Sequence, residues 1–457
     1  MASTLMRPAP PPEARWNTLQ ILKAARVVLI FVDALLLVAG ISATRVHRDA
    51  MKTVGRESAP SIIAAQHIKS ALADMDANAV NELLGPPGSM PDAVKAYESR
   101  REEAAKALLE AAENIAYGES ERDPIRRIQV GMGAYERLVQ RARDLHERGD
   151  AQAVVAYREA SSLMNQALLP AADALDNAAL GVLERTYKDQ SGRSSSARGT
   201  EIFSGLLLLG ALIAVQLSLS KRTRRTLNPL LLAATLVALW CVQDSVVAMQ
   251  NEQHQLKIAK QDAFDSIHAL WRARAIAYWA NADESRYLLD QAHAEEHERE
   301  FIRKSKLLAD SPADPSLRHV AEAARNDIRM EGFSGYLADE LKNITFEGER
   351  GVAAATLLRF AEYLTIDTQI RQLERAGKHQ EAITLCLGMQ EGQSNWSFDR
   401  FDKALGATLH INQAAFDEAV ANGLSAVQGL ELDLSVAAAV IALLGFLGLA
   451  PRIREYE

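Results

Sequence analysis

Residues 202–249 hold two apolar runs joined by a turn too short to be a domain. IFSGLLLLGALIAVQLSLS (202–220) and TLNPLLLAATLVALWCVQDSVVAM (226–249) flank KRTRR. A helix of roughly 17–25 apolar residues spans the hydrocarbon core of a bilayer. The turn carries Lys221, Arg222, Arg224 and Arg225, and short loops rich in Lys and Arg stay in the cytoplasm. The pair therefore predicts a transmembrane hairpin that turns on the cytoplasmic face.

Two further apolar runs frame the chain, ARVVLIFVDALLLVAGISATR (25–45) and LSVAAAVIALLGFLGLA (434–450). Arg7, Arg15, Lys23 and Arg26 precede the first, and Arg452 and Arg454 follow the last. Both termini are thus expected inside. Ile41-Ser42-Ala43 loosely resembles a cleavage site, but the first run is long for a signal peptide. The resulting plan has a cytoplasmic tail at 1–24, spans at 25–45, 202–220, 227–249 and 434–450, a cytoplasmic turn at 221–226 and a cytoplasmic stub at 451–457. The regions 46–201 and 250–433 are placed outside an inner (plasma) membrane.

Both outer regions read as helical. Ile62, Ala65, Ile68, Leu72, Met75, Ala79 and Leu83 recur every three to four residues, a stripe for packing on other helices. GPPGSMP (85–91), GESERDP (118–124) and Arg148-Gly149-Asp150 are breaks. Pro170 predicts a kink, and SGRSSSARG (191–199) a softer patch. Four helices between two spans predict an antiparallel bundle. The expected fold class is an all-α membrane protein with four transmembrane helices and two extracytoplasmic four-helix bundles in tandem. Cys241 and Cys386, the only cysteines, are expected in different compartments and unpaired. A net charge of −8 without a basic face argues against nucleic acid.

The tandem arrangement is legible as a repeat. At a shift of 205, Lys52 meets Lys257, Ser61-Ile62 meet Ser266-Ile267, Ala77 meets Ala282 and Leu83-Leu84 meet Leu288-Leu289. Further on the shift is 228, with Tyr135 on Tyr363, Arg143 on Arg371 and Gly149 on Gly377. The same shifts carry the first and second membrane runs onto the third and fourth. The difference predicts an insertion of 23 residues, expected around 301–350.

No phosphate-cradling loop, nucleophile elbow or HExxH zinc motif is present, so neither enzyme nor cofactor is expected. His293 and His297, spaced i, i+4 among Glu295, Glu296 and Glu298, read as an exposed acidic helix rather than a metal site. Asp33 is an ionisable group inside a span, where such groups are costly and often functional. Gln216, at a similar depth, is its expected hydrogen-bond partner. A packing clip and a functional pair both fit. In the second outer region Trp271, Arg272, Arg274 and Tyr278 stand before Asn281-Ala282-Asp283-Glu284. Arginine suits a carboxylate and aromatics suit contact surfaces. They are candidates for ligand or partner contact, although such residues more often form a bundle's own surface and rim. Asp74 and Asp76 hold the corresponding neighbourhood of the first region. Gly210/Ala214, Ala438/Ala442 and Gly445/Gly448 offer small faces for close approach of spans, within one chain or in a homo-oligomer.

Ser-Ala-Pro-Ser-Ile-Ile, Leu-Ala-Asp-Met-Asp-Ala and Asn-Glu-Leu-Leu within 51–84 resemble the first helix of the four-helix-bundle sensor domains of bacterial chemoreceptors. Those receptors carry a cytoplasmic signalling coiled coil; here the unit is doubled instead. The doubled form, with ANADESRYLLD (280–290), GYLADELKNITFEGER (335–350) and FDEAVANG (416–423), is similar to four-span actinobacterial membrane proteins. These link an extracytoplasmic amino-acid-binding lipoprotein to a soluble Ser/Thr kinase. The resemblance implies a sensory relay with a small ligand or loaded solute-binding protein outside and a cytoplasmic regulator inside. A non-switching envelope scaffold is the alternative.

Overall fold

A computed structural model describes residues 17–113, 115, 118–223, 227–311, 316–328 and 330–456, with side chains of 222 and 223 excepted. Arg7, Arg15, Arg224, Arg225 and most of the N-terminal tail lie outside the described residues. In order the helices are α1 (Thr18–Lys52), α2 (Ala59–Leu84), α3 (Pro91–Glu113), α4 (Glu119–Glu147), α5 (Gln152–Leu163), α6 (Leu169–Thr223), α7 (Pro229–Lys257) and α8 (Asp265–Leu289). Then come α9 (Ala294–Leu308), α10 (Leu317–Arg325), α11 (Tyr336–Lys342), α12 (Glu349–Arg375), α13 (His379–Leu387), α14 (Ser394–Ala426) and α15 (Leu430–Glu455). No strand occurs among the described residues; one isolated bridge joins Asp310 and Ser334.

The breakers act where expected. Gly85 ends α2 in an extended conformation, Gly118 precedes α4 at φ 73°, and Gly149 turns at φ 68° after α4. Pro170 lacks the N–H that an α-helix needs, and the π-helical turn Met164–Leu168 widens the chain just before it. The patch 191–199 is no break, since α6 runs straight through Gly192 and Gly199. α14 and α15, by contrast, are separated at Gly429, which sits in the left-handed region at φ 82°.

Four helical stretches are long and apolar enough to cross a membrane: Thr18–Leu84, Gln152–Lys221, Pro229–Leu289 and Ser394–Glu455. They are consistent with a membrane protein. Residues 1–50, 190–253 and 424–457 form one compact unit, the membrane unit. Its core includes Leu29, Leu36, Leu208, Leu212, Ala234, Ala238 and Ile441.

Residues 51–189 and 254–423 form the second compact unit. Here the structure differs from the expected pair of separate bundles. α2 packs along α8, with α3 against α2 and α9 against α8. Both regions therefore share one interior. The cause is visible in the central helices. Twenty of the 26 residues of α2 are buried, and 17 of the 25 in α8. Alanines spread around both helices let neighbours approach on every side, and the charged residues buried with them are paired within the interior.

Element ends recur at the spacings read from the sequence. Lys52 and Lys257 end α1 and α7, and Leu84 and Leu289 end α2 and α8, 205 residues apart in each case. Two π-helical turns, Thr53–Ser58 and Ile258–Phe264, begin with the same offset. Glu147 and Arg375 end α4 and α12, 228 residues apart. α10 and α11 lie between α9 and α12, where the extra residues were expected.

Candidate functional site

Lining a cavity of about 470 Å³ in the second unit are residues of α2, α3 and α8. Trp271, Arg274 and Tyr278 form its α8 wall and Asp74 stands on α2. Four of the sequence-selected residues thus meet at one place. Helical spacing explains it, because 271, 274 and 278 are neighbours on one face. The His67 ring lies tilted against Trp271, with ring centroids 4.0 Å apart. The Arg274 guanidinium lies 5.2 Å from the Trp271 ring centre and donates to both oxygens of Asp402 at 2.7 and 2.6 Å. Asp74 is ion-paired with Arg100 of α3, whose Nη1 donates to Glu103 at 2.6 Å. Asn78 also donates to Asp74, at 2.7 Å.

The cavity wall carries both signs of charge. Burial lifts the Asp74 carboxyl to about 6, against the pull of Arg100. Burial, and then Arg274, hold the His67 imidazole below its usual range. A second cavity of about 280 Å³ shares Asp74, Arg100 and Tyr278 and continues toward Asn281, Phe398 and Asp402. Its volume and wall suit a small polar ligand with groups of both charges.

Residues 50–188 match the family model described as Actinobacterial sensor domain. The match fits a sensor domain in an all-helical protein and suggests a sensory role. The matched stretch supplies the α2 and α3 walls of the cavity; the α8 wall lies beyond it. No curated protein and no solved structure is significantly similar to the chain.

Arg272 and Asp76 stand elsewhere. Arg272 points to Asp176 at 3.6 Å, beside His268, which is 2.9 Å from the same carboxylate. Asp76 lies in a buried polar core. Its carboxylate accepts from the hydroxyls of Tyr135 at 2.8 Å and Tyr157 at 3.2 Å and is ion-paired with Arg286. Arg286 also donates to Asp283 at 2.5 Å, and Asp283 is paired with Lys304. Two acids and two bases balance there, as buried charges must. Burial lowers the Lys304 amine to about 8, and its Nζ sits 3.9 Å over Trp279. The stretch 281–284, expected at a contact surface or a rim, is wholly buried, as are Ser285 and Arg286 after it.

A third cluster surrounds Glu284. Tyr363 donates to its carboxyl at 2.5 Å and Ser394 at 2.7 Å. Burial pushes this group to about 8, with Asp367 nearby adding to the shift. His293 and His297 both approach Asp290, at 3.3 and 3.7 Å, and Arg158 clamps that carboxylate at 2.7 and 2.8 Å. Among the described residues no three His, Cys, Asp or Glu side chains converge on a metal position.

Asp33 and Gln216 do not pair. Asp33 Oδ1 and Gln216 Oε1 are both buried without a hydrogen-bond partner. The register of the antiparallel α1 and α6 explains this. Leu22 and Ala25 share a cavity with Val215 and Leu219, and Gly40 lies against Glu201. Asp33 therefore sits level with Leu208, eight residues or about 12 Å from Gln216. Arg100, Glu103 and His67 were not singled out from sequence. The spacing Arg100, Glu103, Ala107, Glu110 is a helical face on which charge and alanine mix, and that was their available signal.

Proposed function

We propose that this chain is a membrane sensory relay. The cavity between α2, α3 and α8 takes a small polar ligand, free or handed over by an extracytoplasmic solute-binding protein. A separate cytoplasmic protein, such as a Ser/Thr kinase, reads the signal at the tail, the 221–226 turn and the C-terminal stub. The observation that carries this reading is the cavity itself. It joins Trp271, Arg274 and Tyr278 to the Asp74–Arg100 pair, and two of its walls lie in the stretch that matches the sensor-domain model.

In this reading both large regions are extracytoplasmic and both termini are cytoplasmic. The chain performs no covalent chemistry. The recurring helix ends and the two π-helical turns support descent from a duplicated span–bundle–span unit. The halves have diverged at the cavity: at a shift of 205, Trp279 stands where Asp74 does, capped by Lys304. α1, α6, α7 and α14 contribute residues to both compact units, so a small helix shift has a covalent route. Shifts of about 1–2 Å are typical of such transitions.

The test uses the intact protein in detergent, titrated with free amino acids and other small zwitterions while thermal unfolding is followed. A stabilising ligand should lose at least tenfold in affinity in both Trp271→Ala and Arg274→Ala. Cross-linking in the native membrane, read by mass spectrometry, should recover a solute-binding protein and a cytoplasmic regulator. Recovery of envelope structural proteins alone, with no ligand response, would favour a scaffold.

A further inference from the structure

The membrane unit contains more buried acid than buried base. Asp33, Glu201 and Glu252 are each at most 5% exposed, and His47 is fully buried. Among the described residues of this unit, no lysine or arginine is buried. His47 Nδ1 and Glu252 Oε2 form a short contact, so each has the other as its polar partner. Glu201 has no such partner. Both of its oxygens are buried without a hydrogen bond, as are His47 Nε2, Glu252 Oε1 and the Ser194 hydroxyl.

These groups form a file. Gly40 and His47 on α1, Ser194 and Glu201 on α6, and Ser245 and Glu252 on α7 are each seven residues apart. Two turns of helix is about 10 Å. A Cβ built on Gly40 would lie 3.4 Å from Glu201 Oε1, which fixes the carboxyl at that level of α1. The Ser245 hydroxyl is bonded to the Cys241 carbonyl at 3.0 Å. Charged groups near the file are turned outward. Arg48 pairs with Glu431 at 2.9 Å, Arg198 donates to Gln253 at 2.6 Å, and Arg45, Asp244 and Asp433 are exposed. None neutralises Glu201.

The Ser245 hydroxyl and the His47 ring face Glu201, but an ionised carboxylate with no ion pair of its own does not persist in an apolar interior. Two occupants would neutralise it, a metal cation or a proton. A dehydrated cation needs several oxygen ligands, and no three acidic, histidine or cysteine side chains converge here. A proton needs one acceptor. We propose that the membrane unit is a proton-binding element, with the proton held on Glu201 beside the His47–Glu252 pair. Its helix packing is thereby tied to proton activity, independently of the ligand cavity.

The experiment is infrared spectroscopy of the full-length protein in lipid nanodiscs at neutral pH. The wild type minus Glu201→Gln spectrum should show one protonated-carboxyl band, which disappears as pH is raised. A hydrophobic carbodiimide, which adds to protonated carboxyls, gives a second readout on wild-type protein if the variant does not fold. Peptide mapping should find Glu201 modified and Glu252 spared, with labelling falling at least tenfold toward alkaline pH. A spectrum unchanged in Glu201→Gln overturns the proposal, as does labelling of Glu252 in preference to Glu201. Loss of the band at neutral pH on adding sodium would overturn it in favour of a metal ion.

Discussion

Tyr363 and Ser394 both turn their hydroxyls to Glu284, while the nearby Arg371 is taken up by Asp367. Its carboxyl is held at about 8 by burial, against 4.5 in an open chain. Between those values the unfolded chain releases a proton that the folded chain retains. The stability tied to Glu284 is therefore full below about 4.5 and is lost as pH rises to about 8, on the order of a few kcal/mol. Glutamine can accept from Tyr363 and donate to Ser394 without a charge to bury. Glu284→Gln should match wild type in thermal unfolding near pH 4.5 and exceed it at pH 8. A variant less stable than wild type at pH 8 would refute the assignment. Such residues show how far side-chain roles were legible. Trp271, Arg274 and Tyr278 announce a shared face by spacing alone. Asp76, Arg272 and Glu284 look the same in sequence but owe their roles to partners 59 to 210 positions away, which no local pattern reports.

Helix ends were legible at Gly85, Gly118 and Gly149, whereas the break at Gly429 was not read from the sequence. α6 was harder. Serine and glycine in 191–199 suggest weakness, yet the helix is maintained through them. The exchange of two separate bundles for one shared unit has a similar cause. Periodicity shows a stripe on α2, but alanines around it make the opposite side equally suited to burial against α8. Within the membrane unit, α6 and α7 approach closely at Gly205. A Cβ there would lie 2.6 Å from Val242, so any side chain must push the helices apart. Overpacking of this kind typically costs about 1–3 kcal/mol. Gly205→Ala should lower the thermal aggregation temperature in detergent, and Gly205→Leu should lower it further. Tolerance of leucine at wild-type stability would show that the close approach is not maintained.

Orientation in the membrane is a property of the whole chain, and it follows from charge rather than from packing. Under the proposed topology, the Lys and Arg excess in the short turn and beside the terminal spans keeps those segments inside, because translocating such loops is disfavoured. The rest of that plan then follows. With four spans, the residues between the first and second spans lie on the same side as those between the third and fourth. That agrees with one compact unit built from 51–189 and 254–423, since residues on opposite sides of a bilayer could not share an interior. The native thiols make a direct test simple. Cys241 and Cys386 are both buried, so a membrane-impermeant maleimide should find little background. Arg299, 70% exposed on α9, and Lys221, exposed at the end of α6, are the reporter positions. Arg299→Cys should be labelled in intact cells and Lys221→Cys only after permeabilisation. The reverse pattern would put the ligand cavity in the cytoplasm, and the relay would then have to run the other way.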